Sequence, residues 1–451
     1  MPQSLQIKAA NVDPALLDLP WDRPLDEWPE DILAALPRGI SRHIVRFVNL
    51  SGRVLAVKEI GESVAQNEYD LLWGLTRLDA PSVMPTAVVT GRVDSNGEEL
   101  NGVLVTEHLQ FSLPYRALFR QALTPDTAER LIDALAVLLV RLHLLGFYWG
   151  DVSLSNTLFR RDAGAFSAYL VDAETGELHQ KLTDGQRGYD VDLARVNIIG
   201  ELMDLQSGGY LDEDVDVIGI GTRIVERYEQ LWEELTAPEQ ISLGERWKVE
   251  RRIERLNDLG FSLGELTMSA DPDGNHLVIQ PKVVDAGHYH RRIMRLTGLD
   301  VEEKQARRLL DDLDTYRAVK GLTNIPEEQV AHQWLRESFE PVVLAIPPEH
   351  AGKLEPAQLY HEYLEHRWFL AEQRKEDVPM EEALASYIEN VLATREDEAR
   401  FLDSEFLGLA DVDDDADDPM EGQETEDDSS EDDVDQIGFD LPSFLLSDNQ
   451  P

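Results

Sequence analysis

The segment LIDALAVLLVRLHLLGFYWG, Leu131 to Gly150, constrains the fold more than any other part of the chain. Leu131, Leu135, Leu138, Leu142 and Leu145 recur every three or four residues, which predicts one face of a long helix enclosed by other elements. Asp133, Arg141 and His143 interrupt the apolar run, so it falls short of the clean span of ~20 residues that a membrane crossing requires. It therefore reads as a buried helix, enclosed in a globular body. At 451 residues with 42% hydrophobic content the chain has the material for two or three such bodies.

Before this helix the pattern is β-rich. HIVRFVNL and RVLAVKEI are joined by Ser51-Gly52, the composition of a hairpin turn. SVAQNEYDLLWGLTRL follows with helical spacing of Val64, Leu71, Leu72, Leu75 and Leu78, and then come TAVVTGRV and NGVLVTEHL. The order is strand, strand, helix, strand, strand, then the long helix. After it, TLFRR and AYLVDAE form two short β-like runs, and mostly helical patterns continue to about residue 410, with one further hairpin at LGELTMSADPDGNHLVIQPKV.

The chain has no cysteine, which excludes disulfides, thiolate zinc sites and a cysteine nucleophile, and fits a reducing compartment such as the cytoplasm. The N-terminus lacks the basic-then-apolar layout of an export signal. The formal charge is −47, and 15 acids without a single base lie between Asp411 and Asp435. A field of this sign repels phosphate backbones and anionic headgroups, so no nucleic-acid partner and no binding to a membrane surface are expected, and the interrupted apolar segment leaves no membrane span expected either. The tail from 411 to 451 cannot bury enough apolar surface to offset its ordering entropy and is expected to be disordered. Its end, IGFDLPSFLLSDNQP, is either a short docking motif for a protein partner or a loose terminus.

Four motifs then carry chemistry in a fixed order: LAVKEI with Lys58, QNEYDLL with Glu68, WGDVSLSN with Asp151 and Asn156, and YLVDAE with Asp172. The Asp-x-x-x-x-Asn pair alone is a weak signal, since loops after helices favour both residue types. An upstream strand lysine, a helical glutamate ten residues later and a strand-end aspartate sixteen residues after the asparagine make chance a poor explanation. This layout resembles the protein-kinase-like superfamily. Gly-Asp-x-x-x-x-Asn without a preceding Arg, and Asp-Ala-Glu in place of Asp-Phe-Gly, are more similar to its small-molecule and lipopolysaccharide (Kdo) kinase branch than to protein kinases. The whole chain resembles an uncharacterised bacterial family in which such a domain precedes one of unknown function.

The resemblance implies an α+β, bilobal fold: a small antiparallel β N-lobe at 35–110 after an extension at 1–34, a helical C-lobe at 111–244, a mostly helical domain at 245–410, and the acidic tail. It implies ATP and Mg²⁺ as cofactors and a hydroxyl of a saccharide, lipid-linked sugar or other small acceptor as substrate. Lys58 would reach the α- and β-phosphates and pair with Glu68, Asp151 would be the orienting base, and Asn156 and Asp172 would supply oxygens to the metal. Glu174 is either a contributor to that metal shell or an exposed surface acid. Glu107, His108 and Leu109 would be the hinge that meets adenine. YDVDLARV resembles the Asp-Leu-Ala helix of this branch, with Asp192 bracing the catalytic loop or simply serving as a helix N-terminal acid.

Three departures bear on activity. Trp149 stands where relatives usually have His, there is no Ala-Pro-Glu segment, and no Gly-x-Gly-x-x-Gly loop precedes the first hairpin. Only PRGISRH is available there, as a phosphate cradle with Gly39 and Arg38 or Arg42, or as a turn into a strand. The alternative reading is accordingly a pseudokinase that binds nucleotide without turnover. His361 and His366 in HEYLEH lie five apart, about 140° around a helix, which does not suit a zincin pattern. RWKVERRIERL, GHYHRR with its histidines at strand spacing, and KQARRLL form a basic island, either an anion site or a set of cations paired within helices to Glu250, Glu254, Glu302 and Glu303.

Overall fold

Alternation along one strand explains how the first lobe is organised. A computed structural model of the chain describes residues 4–10, 13–34, 43–120, 125–242, 245–270, 276–395 and 397–398. Gly39, Arg38 and Arg42, the acidic tail and the terminal apolar motif lie outside the described residues. The first sheet contains β1 (Gln6–Ala9), β2 (Ile44–Leu50), β3 (Arg53–Ile60), β4 (Pro85–Thr90) and β5 (Gly102–Glu107), in the order β1-β4-β5-β3-β2, with every pairing antiparallel. The β2–β3 turn is Ser51-Gly52, both at positive φ (51° and 80°), the two-residue hairpin geometry whose twist matches its strands. In β3 the odd positions Leu55 and Val57 face an outer core, while Lys58 and Ile60 face the opposite side, where α1 (Glu62–Arg77) lies.

The outer core is closed by the N-terminal segment. Leu16, Leu19, Trp21, Leu25 and Trp28 cover Val48, Leu55, Val57, Val89, Val103 and Val105. This segment was expected as an extension packed on the first domain, and besides packing there it supplies β1, an edge strand only four residues long. Its attachment has a polar core. Glu59, on the same face as Val57, pairs with the fully buried Arg92 at 2.6 Å and accepts from the Leu25 amide at 3.1 Å. Arg92 also donates to the carbonyls of Trp21, Arg23 and Asn101. Arg92→Met should cost about 3 kcal/mol, because it strands a buried carboxylate and three carbonyls. Urea denaturation reads the loss, and an unchanged midpoint would contradict this account of the attachment.

The second lobe begins with β6 (Ser112–Pro114) and α2 (Tyr115–Arg120), followed by the long helix α3 (Pro125–Leu144). Of the predicted stripe, Leu131, Leu135, Leu138 and Leu142 are buried in α3, while Leu145 lies just past the helix end and is half-buried. The chain then forms β7 (Phe147–Tyr148), the hairpin β8 (Thr157–Asp162) and β9 (Ala165–Leu170), β10 (Glu177–Leu178), and helices α4 (Asp184–Ser207) and α5 (Val217–Thr236). One apolar core runs from α1 through α3, α4 and α5. No helix among the described residues is long and apolar enough to cross a membrane.

Beyond α5 come β11 (Glu239–Ser242), α6 (Arg246–Asp258), and the hairpin β12 (Phe261–Ala270) and β13 (His276–Ala286), the last where LGELTMSADPDGNHLVIQPKV predicts it. The helices α7 (His288–Thr297), α8 (Glu303–Val319), α9 (Glu327–Trp334), α10 (Glu340–Leu344), α11 (Pro356–Arg374) and α12 (Met380–Asn390) enclose a separate core around Trp334, Tyr360, Tyr363 and Tyr387. A five-residue π-helical stretch, Leu335–Phe339, joins α9 to α10 just before Pro341, whose missing N–H cannot close a regular turn. GHYHRR is thus helical, not extended, with His288 and His290 at the start of α7.

This helical part grips the tip of the β8–β9 hairpin. Buried Asp162 accepts from the Gln305 amide at 2.7 Å, Gln305 donates to the Arg161 carbonyl at 3.0 Å, and Ala163 N donates to Gln358 at 3.0 Å. Burial, followed by the nearby Glu302 charge, pushes the Asp162 carboxyl up to about 7 from its ordinary 3.8. The folded protein therefore holds a proton here that the unfolded chain has released between those two values. Stability contributed by this group falls as pH rises through that window. Asp162→Asn should flatten the fall by a few kcal/mol, on the order of the ~1.4 kcal/mol that each unit represents. Denaturation midpoints from pH 4 to 7 measure this, and an unchanged slope would contradict the assignment.

Candidate active site

Lys58 reaches the inner face because it alternates with Val57 and Glu59, and α1 brings Glu68 up to it. Glu68 is fully buried, and its carboxylate lies 3.1 Å from the Lys58 ammonium. Asp172, just past the end of β9, lies 2.8 Å from the same ammonium, and Glu174 lies 3.5 Å from it. A carboxylate ~4 Å from an ammonium at an effective dielectric of ~20 contributes about 4 kcal/mol of attraction, so the cluster is held together from three directions. His43 Nε2 approaches Glu174 at 3.0 Å. Glu174, with a third of its side chain exposed, therefore belongs to this group and is not merely a surface acid.

The electrostatics follow from one ammonium serving three carboxylates. Burial works against the Lys58 ammonium, but Glu68 and Asp172 outweigh it and its pKa is raised. Burial likewise works against Asp172, yet Lys58 and the Glu174 amide, which donates to Asp172 Oδ1 at 3.0 Å, hold its carboxyl below the ordinary value. Glu68 is pushed up to about 7 by burial and by the Asp172 charge. The more exposed carboxylate thus keeps its charge more firmly than the buried one. Glu68, Asp172 and Glu174 place oxygens within 4.8 Å of one another, and their excess of negative charge over Lys58 suits a divalent cation.

The loop after α3 is shaped by a glycine and by one helix. Gly150 has φ +77°, and a Cβ there would stand 3.0 Å from the Thr175 carbonyl. Asp151 and Asn156 come together: Asn156 Nδ2 donates to Asp151 Oδ2 and to its carbonyl, both at 3.0 Å. With the amide nitrogen so used, the amide oxygen of Asn156 is the atom available as a ligand. Val171 N donates to the Asn156 carbonyl at 3.1 Å, which ties the loop's end to the residue before Asp172. Trp149 is fully buried, and its indole donates to the Asp172 carbonyl at 3.0 Å, so the residue that departs from the usual His joins the loop to the end of β9.

The brace on this loop is Asp190, not Asp192. Buried Asp190 accepts from Trp149 N and Gly150 N, both at 2.8 Å, and faces His143 Nε2 at 3.1 Å. His143 Nδ1 in turn meets the Tyr228 hydroxyl at 2.7 Å. Asp192 is two thirds exposed and pairs with Arg195. Two residues along a helix are 200° apart, so both cannot face the loop. Further along the same face as Asp190, Asn197 donates to the Val152 carbonyl at 3.0 Å, and Glu201 accepts from Leu154 N and Ser155 N at 2.8 Å each. Asn197 and Glu201 were not foreseen. Their offsets of 7 and 11 from Asp190 return within about 20° of one direction, the signal by which the stripe is recognisable.

Of the hinge residues, Glu107 N donates to the Met84 carbonyl at 2.8 Å and His108 N to the Val54 carbonyl at 3.0 Å. The Glu107 side chain pairs with Arg53 at 2.6 Å, and the Leu109 carbonyl accepts from Ser112 at 2.6 Å. Burial, with the Arg160 charge, lowers His108 to about 4, leaving it a neutral ring against Phe47. His361 is a buried helical side chain beside Glu365, while His366 meets Ser386 at 2.9 Å, so the two do not share a site.

The comparisons agree with this layout. Residues 49–201 match the lipopolysaccharide kinase (Kdo/WaaP) family, and residues 230–392 match a domain of unknown function, DUF4032. A solved structure described as WaaP in complex with acyl carrier protein is 16% identical, with a TM-score of 0.29, over 45% of this chain and 91% of its own. No curated protein matches the chain. The fold is the α+β, kinase-like one that the motifs imply, and the chain carries a segment that matches the lipopolysaccharide kinase (Kdo/WaaP) family followed by one that matches DUF4032.

Proposed function

We propose that this protein is an ATP- and Mg²⁺-dependent phosphotransferase acting on a hydroxyl of a saccharide, lipid-linked sugar or other small acceptor. The observation that carries the reading is the meeting of Lys58, Glu68 and Asp172 within 3.1 Å contacts, with Asp151 and Asn156 held on the adjoining loop. Lys58, oriented by Glu68, binds the α- and β-phosphates of the nucleotide. Asp151 orients the acceptor hydroxyl and takes its proton as the new oxygen–phosphorus bond forms and the bond to the leaving ADP breaks. Asn156 and Asp172 hold Mg²⁺, with Glu174 near enough to join them. When bound, the metal supplies charge neutralisation to the phosphates.

In this reading adenine lies against Glu107, His108 and Leu109. The Glu107 and His108 amides already serve the sheet, so the base draws on the remaining backbone groups of that segment. The helical part that grips the β8–β9 hairpin helps to shape the acceptor side. A second reading, nucleotide binding without turnover, is favoured by the three carboxylates around Lys58, which compete with phosphate for its ammonium.

Transfer of γ-labelled phosphate to a panel of saccharides and lipid-linked sugars, with Mg²⁺ and with chelator, separates the two. Label on an acceptor only when Mg²⁺ is present is the expected result. Tight ATP binding with no transferred label and no hydrolysis across the panel would favour the second reading.

A further inference from the structure

A cavity of about 680 Å³ lies away from the Lys58 cluster, behind β9, where α3, α5 and β9 meet α6, α7 and α8. Its wall is divided. Ala134, Val137, Leu138, Phe166, Leu231 and Phe261 make an apolar side, and six carboxylates and six cationic side chains make the other. Each of the carboxylates is already committed. Asp133 pairs with Arg227 at 2.8 Å, Glu234 with Arg255 at 2.8 Å, and Asp258 with Arg307 at 3.0 Å. Glu302 accepts from the Tyr169 hydroxyl at 2.6 Å, Glu303 from the amides of Tyr289 and His290, and Asp162 from the Gln305 amide.

The cations are not all committed. Arg141, partly buried on α3, makes one hydrogen bond, to the Asp79 carbonyl at 3.2 Å, and no carboxylate lies within 4 Å of it among the described residues. Among the described residues no carboxylate lies within 4 Å of the exposed Lys304 ammonium either. Desolvation by the surrounding wall lowers the Arg141 pKa, although Tyr169, Asp79, Glu302 and Glu303 act in the opposite direction. A guanidinium with unused donors matches a phosphate or carboxylate bidentately. The basic island of α6, α7 and α8 thus does two things. Among the described residues Arg252, Arg255, Arg292 and Arg307 pair with Glu239, Glu234, Glu327 and Asp258 on neighbouring elements, where the sequence offered partners within helices as one of its two readings. From the island the exposed Lys304 is left over, and it lines the cavity together with Arg141 of α3.

We propose that this cavity binds an amphipathic oxyanion, a phosphate or carboxylate head on an apolar body, with the head on Arg141 and Lys304 and the body on the α3, Phe166 and Phe261 side. The site is independent of the phosphotransfer reading. It nevertheless adjoins it, since Tyr169 lines the cavity three residues before Asp172.

The test is calorimetric titration of the full chain, without nucleotide, with dodecyl phosphate and dodecanoate below their micellar concentrations. Dodecanol and inorganic phosphate serve as controls for head and body. One molecule per chain should bind, at least about tenfold tighter than either control, and the preferred head identifies which anion the site takes. Arg141→Met should weaken binding about tenfold or more, as expected for lost hydrogen bonds to a charged group. Ala165→Phe, which fills the cavity from the hairpin, should do the same and serves if Arg141→Met fails to fold. Asp172→Ala should bind as the wild type does, even if no phosphotransfer is ever found. Equal binding of dodecanol, equal binding of inorganic phosphate, no binding of either amphiphile, or unaltered affinity in both cavity variants would each overturn the proposal.

Discussion

Asp190→Ala should cost the fold about 3–5 kcal/mol, because it leaves the Trp149 and Gly150 amides and His143 around a space with no acceptor. Asp192→Ala, two residues further along the same helix, should leave stability almost where it is, since that side chain is exposed and paired only with Arg195. Equilibrium denaturation of the two variants reads the contrast directly. The same loss should reach the reaction. Asp190 fixes the two residues before Asp151, and a misplacement of ~1 Å in such a group is enough to slow a positioned reaction about a hundredfold. Equal stability of the two variants would remove Asp190 as the brace of this loop.

The second large effect is on phosphoryl transfer itself. Asp151→Ala and Asp172→Ala should each lower the transfer rate by about 10²–10⁴, the range that a positioned acid–base group or a charge-stabilising group supplies. They should differ in binding. Asp151→Ala removes a partner of Asn156 but leaves the Lys58 cluster whole, so nucleotide affinity should persist. Asp172→Ala removes one of the three carboxylates on Lys58 and an oxygen proposed for the metal, so the Mg²⁺ dependence of nucleotide binding should weaken. With the Asp172 charge gone, Glu68 should also titrate lower than about 7, because that charge is one of the causes raising it. Transfer rates equal to wild type in both variants would contradict the roles proposed for them.

Much of this was legible in the chain because covalent spacing carries it. Lys58, Glu68, Asp151, Asn156 and Asp172 sit in motifs whose order already resembles a known family, and the two-residue turn at Ser51-Gly52 announces the first hairpin. The buried stripe of α3 was equally plain, since leucines at helical spacing leave little choice, although the last of the five, Leu145, falls just beyond the helix. What was not legible depends on which face of an element a residue takes. Asp190 and Asp192 are equivalent as letters, and only the position of the Trp149–Asn156 loop against α4 distinguishes them. The edge strand β1 escaped notice because four residues give too short a period to read, and its partner β4 lies about eighty residues away. His288 and His290 alternate like a strand, yet the turn at Gly287 and the Glu303 carboxylate on the first amides start a helix there. The arginines of α6 and α8 show the same limit. Helical spacing offered them partners within their own helices, but packing brought acids from other elements closer.

The central claim is that these five side chains surround a triphosphate and its metal. A crystal structure with a non-hydrolysable ATP analogue and Mn²⁺ tests it most directly, because the anomalous signal of manganese locates the ion without ambiguity. The account predicts a manganese peak between Asn156 and Asp172, phosphate oxygens on Lys58, and adenine beside Glu107 to Leu109. A well-ordered nucleotide elsewhere on the protein, or manganese bound away from Asn156 and Asp172, would contradict it.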